Sequence, residues 1–117
     1  MVHILRLTFW LAVALAFIMA CLSQPPLFPA LPSDRWQHAL AFSCLGVLGS
    51  AAYPRLSIAK LGLGLCAFGA LIEIVQLASI LNRDADILDW AVDVVSIAAA
   101  LGWVHLSRCI RSRPLNS

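Results

Sequence analysis

Charge is scarce in this chain. Asp, Glu, Lys and Arg make up 12% of its 117 residues, against the roughly 25% found in an ordinary soluble domain. The polar surface that clothes a water-soluble globule is missing, and 62% of the residues are hydrophobic. The sequence also lacks a CxxC pair, any Cys and His spacing suited to a metal, and any internal repeat. Cys21, Cys44, Cys66 and Cys109 stand singly in apolar or terminal sequence, so they read as small apolar side chains. Neither a cofactor, a dedicated metal centre nor a nucleic-acid partner is expected.

What is present in quantity is apolar sequence. A bilayer core about 30 Å thick takes about 20 apolar residues to cross as a helix, so the length allows four crossings and leaves no room for a soluble domain. The expected fold is an all-α integral membrane protein, with four transmembrane helices in a compact bundle. Helix one is expected over 7–22, followed by a proline-rich connection over 23–33 (SQPPLFPALPS). Prolines lack an amide donor and disfavour helix in the residue before them, so this stretch reads as an extended loop at the membrane surface. A basic start followed by an apolar run also fits a signal peptide, but Ile18-Met19-Ala20-Cys21 matches a lipoprotein cleavage box poorly in its middle positions. A retained helix is therefore expected.

Helix two is expected over 34–53, with Ser33 or Asp34 as its N-cap, Pro54 as its terminator and His38 as its interior ionisable residue. Helix three spans 57–81 and contains Gly62, Gly64 and Gly69, small residues that let membrane helices approach closely. The glycine side is expected to face the bundle. Helix four, over 86–107, follows the short connection Asn82-Arg83-Asp84 and makes a tight hairpin with helix three. Residues 108–117 read as a basic cytoplasmic tail.

Loop charges set the orientation, because Lys and Arg near helix ends are retained in the cytoplasm. Arg6, Arg55, Lys60, Arg108, Arg111 and Arg113 fall on one side of a four-crossing chain, and only Arg35 and Arg83 on the other. Both termini are thus expected in the cytoplasm.

All six acidic residues then converge on the outer half of the bundle: Asp34, Glu73, Asp84, Asp86, Asp89 and Asp93. On helix four, Asp86, Asp89 and Asp93 are spaced by three and four, which puts them on one face. Glu73 and Gln76 are one turn apart on helix three. At about 1.5 Å per residue, Glu73 lies about 13 Å inside and Asp93 about 10 Å, with His38 and Asp89 nearer the mouth. An isolated charge at such depth costs at least about 2.5 kcal/mol, so the deep acids must face the interior and find partners. Arg83 is the cation best placed to neutralise them, with Arg35 and His38 sharing the load. Membrane helices also use polar side chains as simple glue, but several converging at one end point to a pocket.

His3 and His105 read as end residues without function. Trp10, Trp36, Trp90 and Trp103 fall close to helix ends and read as an interfacial aromatic belt.

Two spaced motifs carry a resemblance. Asp34-Arg35-Trp36-Gln37-His38, with Phe42 one turn on, resembles the D-[KR]-x-x-H motif of VanZ-like membrane proteins, and Glu73-Ile74-Val75-Gln76, Arg83 and then Asp89 resemble that family's E-x-x-Q…R-x5-D signature. The resemblance covers about 34–102. The chain departs from the family pattern at Asp93, where an Asn is usual, and at Ser96, where a Gly is usual. The acid adds negative charge to the pocket. The resemblance implies a multi-pass protein of the bacterial cytoplasmic membrane with a role in the cell envelope. The family takes its name from a protein associated with resistance to the glycopeptide teicoplanin, and it supplies no reaction.

The leading expectation is an outward-facing polar pocket formed from Asp34, Arg35, His38, Glu73, Gln76, Arg83, Asp86, Asp89 and Asp93. It would bind an envelope lipid, a lipid-linked precursor or an amphiphilic antibiotic of the glycopeptide type, and so contribute to antibiotic resistance. One alternative is an intramembrane enzyme acting on lipid head groups, with His38 and Glu73 as acid or base and a divalent cation on Asp86, Asp89 and Asp93. Another is an ion or proton pathway. Against it, the stretches 61–71 and 94–104 hold no Asp, Glu, Lys, Arg or His, and Ser96 is their one hydroxyl.

Overall fold

A computed structural model describes residues 1–21, 34–77 and 87–114, with the side chains of Asp34 and Arg35 excepted. Four helices account for nearly all of this: α1 (Val2–Cys21), α2 (Asp34–Ala52), α3 (Ile58–Gln76) and α4 (Ile87–Arg111). Three of them, α1, α3 and α4, are long and apolar enough to cross a membrane. The fourth, α2, is as long as α3, but Asp34, Arg35, Gln37 and His38 crowd its first turns and depress its mean hydropathy. Few of the apolar side chains are inside: Leu63, Val95 and Trp103 are about 70% exposed. A water-soluble protein rarely shows so much contiguous apolar surface, whereas hydrocarbon solvates it.

Helix boundaries follow local chemistry. Pro54 lies in the turn between α2 and α3, and the Ser57 side chain caps α3 by accepting a hydrogen bond from the Lys60 amide at 3.1 Å. The helix α3 ends at Gln76 rather than residue 81, with Leu77 as its C-cap, and two other helices run further than the sequence expectation. α1 begins at Val2 rather than residue 7, so Arg6 is helical. α4 continues to Arg111, which takes Arg108 and Arg111 out of the expected tail. In both cases the extra turn is held by a basic side chain bound to the end of α2. Arg6 Nε donates to the Ala52 carbonyl at 3.2 Å and Arg108 Nη2 to the Ser50 carbonyl at 3.0 Å. These are carbonyls of the last turn of α2, where orphan acceptors and the negative end of the helix dipole both favour a cation. Arg6 also stacks 4.8 Å above the Tyr53 ring centre.

Contacts between helix ends fix an up, down, up, down arrangement. α2 packs against all three other helices, most extensively against α4, while α1 and α4 lie on opposite sides of the α2 and α3 pair. One end of the bundle therefore carries Arg6, Arg55, Lys60, Arg108 and Arg111. The other carries His38, Glu73, Asp89 and Asp93. The core between them is formed by Phe42, Leu45, Leu61, Leu65, Ile72, Ile97 and Leu101.

Small residues set how closely the helices approach. A Cβ added at Gly46 would lie 3.3 Å from Ala100 Cβ and 3.6 Å from Leu101 Cδ2, so α2 and α4, which run parallel, touch almost backbone to side chain here. Gly62 and Gly69 of α3 face the bundle as expected, but Gly64 faces away, with nothing within 4 Å of its would-be Cβ. Two residues along a helix is a turn of about 200°, so Gly64 cannot share a face with Gly62.

Gly46→Val should therefore push α2 from α4 and lower stability by about 1–3 kcal/mol, as overpacking of a close contact does. Gly64→Ala should cost nothing measurable. Thermal unfolding of the two variants in one detergent checks this, and equal losses would contradict the packing described.

Candidate functional site

The alternation of helices brings the start of α2, the end of α3 and the start of α4 to one end, and with them His38, Glu73 and Asp93. His38 Nδ1 lies 3.2 Å from Asp93 Oδ1. With the carboxyl ionised the ring nitrogen donates in that contact, and with it protonated the carboxyl donates to the ring. One ligand-capable atom from each of His38, Glu73 and Asp93 falls within 4.8 Å of the others. Asp93 has no exposed surface and the His38 side chain is 10% exposed. The second Asp93 oxygen, Oδ2, is buried with no hydrogen-bond partner among the described residues, and so is Gln37 Nε2.

Register explains the meeting of His38 and Asp93. Gly46 sits against Leu101, and both lie eight residues beyond the pair in question, so the close contact that locks two parallel helices also sets His38 opposite Asp93. The sequence expectation put His38 nearer the mouth than Asp93. The 3.2 Å contact instead places them at one level, because α2 and α4 are staggered by their packing rather than aligned by their first residues.

Gly69 provides the floor. A Cβ there would lie 3.1 Å from Asp93 Oδ2, 3.4 Å from Trp90 Cδ1 and 3.5 Å from Phe42 Cζ. Trp90, expected in an interfacial belt, is instead half-buried, and its indole N–H donates to the Cys66 carbonyl of α3 at 3.1 Å. The reason is angular. Trp90 lies one turn before Asp93 on α4, so it shares the inward face. Trp10 donates to the Tyr53 hydroxyl at 2.8 Å at the opposite end, while Trp36 and Trp103 remain exposed.

Beside the polar cluster runs an apolar cleft of about 270 Å³ between α1 and α2. Ala12, Ala16 and Ala20, spaced by four, form one wall. Ala41, Cys44 and Leu45 form the other, and Gln37 and His38 supply its polar lining. Three alanines on one face of α1 leave space that larger side chains would close. Gln37 is a residue the sequence reading passed over. Its signal was the neighbouring His38 in a run of polar residues at the head of an otherwise apolar helix.

The remaining expected site residues fall into separate groups. Gln76 is only 2% exposed, and its Nε2 donates to the Ala20 carbonyl at 3.0 Å, so it binds α3 to the end of α1. Asp89 lies half-buried in the first turn of α4. The side chains of Asp34 and Arg35, together with Arg83, Asp86 and the expected loop and hairpin connections, lie outside the described residues. The acidic face expected along helix four thus contributes Asp93 to a cluster drawn from three helices. No protein-family model, curated protein or solved structure matches the chain.

His38 and Asp93 should behave as a coupled pair. His38→Phe and Asp93→Leu should each lower stability by about 1–3 kcal/mol, since each strands a buried polar partner. The double variant should lose clearly less than the sum of the two. A double-mutant cycle measured by unfolding in detergent reads this, and strict additivity would refute the pairing.

Proposed function

We propose that the chain is a VanZ-like membrane protein that binds an amphiphile, with the alkyl portion in the α1 and α2 cleft and the polar portion at the His38, Glu73 and Asp93 cluster. One observation carries the reading: an apolar cleft of about 270 Å³ is lined at one end by Gln37 and His38. A site that joins an apolar groove to a few convergent polar groups suits a ligand with the same two halves. Envelope lipids, lipid-linked precursors and amphiphilic antibiotics share that chemistry.

In this reading α2 crosses the membrane together with the three more apolar helices. Its polar start is tolerated because His38 faces Asp93. Both termini and the basic end lie in the cytoplasm, following the distribution of Lys and Arg, and the polar cluster opens outward from a bacterial cytoplasmic membrane. The motifs from Asp34 to His38 and from Glu73 to Asp89 support placement with the VanZ-like proteins and a contribution to envelope physiology, including antibiotic susceptibility.

The His38 and Asp93 pair also favours a second reading as an intramembrane enzyme acting on lipid head groups. An imidazole oriented by a carboxylate is a common form of general base. Turnover of envelope lipids by purified protein, lost in Glu73→Gln, would distinguish it from binding alone.

Binding is tested by reconstituting the protein with a phospholipid that carries a photoreactive group on its acyl chain. Crosslinks should concentrate on Leu15, Met19 and Cys44 at the cleft. Ala16→Trp, which fills the cleft, should abolish them without altering labelling at Leu63 or Val95. Uniform labelling around the bundle, unchanged by Ala16→Trp, would overturn the reading.

A further inference from the structure

We propose that His38, Glu73 and Asp93 together hold a divalent metal ion of borderline hardness, Zn²⁺ or Mn²⁺. The proposal goes beyond amphiphile binding and does not depend on it.

Geometry is the first argument. Nitrogen and oxygen ligands lie about 2.0–2.2 Å from such an ion, so two of them at adjacent coordination positions are about 3–3.6 Å apart. His38 Nδ1 and Asp93 Oδ1 are 3.2 Å apart, a separation one ion can span without backbone movement. Glu73 supplies the third ligand, with one ligand-capable atom from each of the three residues within 4.8 Å of the others.

Burial is the second. Asp93 has no exposed surface, and its Oδ2 has no hydrogen-bond partner among the described residues. A buried carboxylate oxygen left in this state costs free energy. A cation beside the carboxyl would satisfy it. Every Lys and Arg whose side chain is described lies at the opposite end of the bundle, where Arg6 and Arg108 are held by the carbonyls of α2.

Ligand chemistry selects the ion. Ca²⁺ requires six to eight oxygens and Mg²⁺ an oxygen octahedron rich in water. An imidazole with two carboxylates suits Zn²⁺ or Mn²⁺, and three protein ligands leave a coordination position open. Metal would replace the proton now shared between His38 Nδ1 and Asp93 Oδ1.

The test begins with purified full-length protein in detergent, stripped by chelator and titrated with Zn²⁺ and Mn²⁺. About one equivalent should be retained, as for a single site of this type. Co²⁺ added to the wild-type protein should give a visible absorption band characteristic of low-coordinate nitrogen and oxygen ligation. Asp93→Asn and His38→Ala should each weaken binding by at least about a hundredfold, with helix content held constant by circular dichroism. Less than about a tenth of an equivalent bound to folded wild-type protein, with no Co²⁺ band, would overturn the proposal. So would binding indifferent to His38→Ala but lost in Asp89→Asn, since that pattern belongs to a site along α4 alone. Photolabelling of the cleft is a separate measurement, so either result can fail without the other.

Discussion

A carboxylate with no exposed surface, set among helices whose outer faces are apolar, is the constraint around which this bundle is arranged. Asp93 cannot be left alone in such surroundings, because an uncompensated polar group in hydrocarbon costs several kcal/mol. His38 meets it at 3.2 Å, and that contact requires α2 and α4 to be parallel, close and staggered by a fixed amount. Gly46 permits the closeness, since a side chain there would collide with Ala100. Gly69 admits Asp93 and Trp90 on the α3 side. The most polar helix is accordingly the most enclosed, touching all three others.

The two ends of the bundle resolve their electrostatics differently. At the basic end, arginines from α1 and α4 converge on the carbonyls that terminate α2 and so close the central helix. At the acidic end one contact joins two helices, where His38 of α2 meets the buried Asp93 of α4. Helix α1 joins the second system indirectly. Gln76 fastens its last turn through the Ala20 carbonyl, and the alanines above that anchor leave the cleft that reaches Gln37 and His38. Without α1 the polar cluster would lose one wall.

Much of this was legible from residue order. Helix number and approximate extent follow from apolar runs broken by proline, and the convergence of His38, Glu73 and Asp93 at one end follows from alternating direction. The failures share a cause. Gly64 was grouped with Gly62 by composition although helical rotation separates them. Trp90 was assigned by nearness to a helix end although its angular position makes it an inward group. Arg108 was read as tail because its partner, the Ser50 carbonyl, is a backbone atom far along the chain. Depth counted from helix starts missed the level of His38 because interhelical stagger does not appear in a single helix.

The sequence by itself determined the apolar character, the four helices and the segregation of basic from acidic ends, because these depend on composition and periodicity along one element. Only tertiary structure decided which acid is buried, that His38 faces it, and that an apolar cleft lies beside the pair. Those outcomes depend on how closely two helices approach and in what register. Glycines and alanines on facing surfaces set both, through side-chain volume that acts only when another helix is there to feel it.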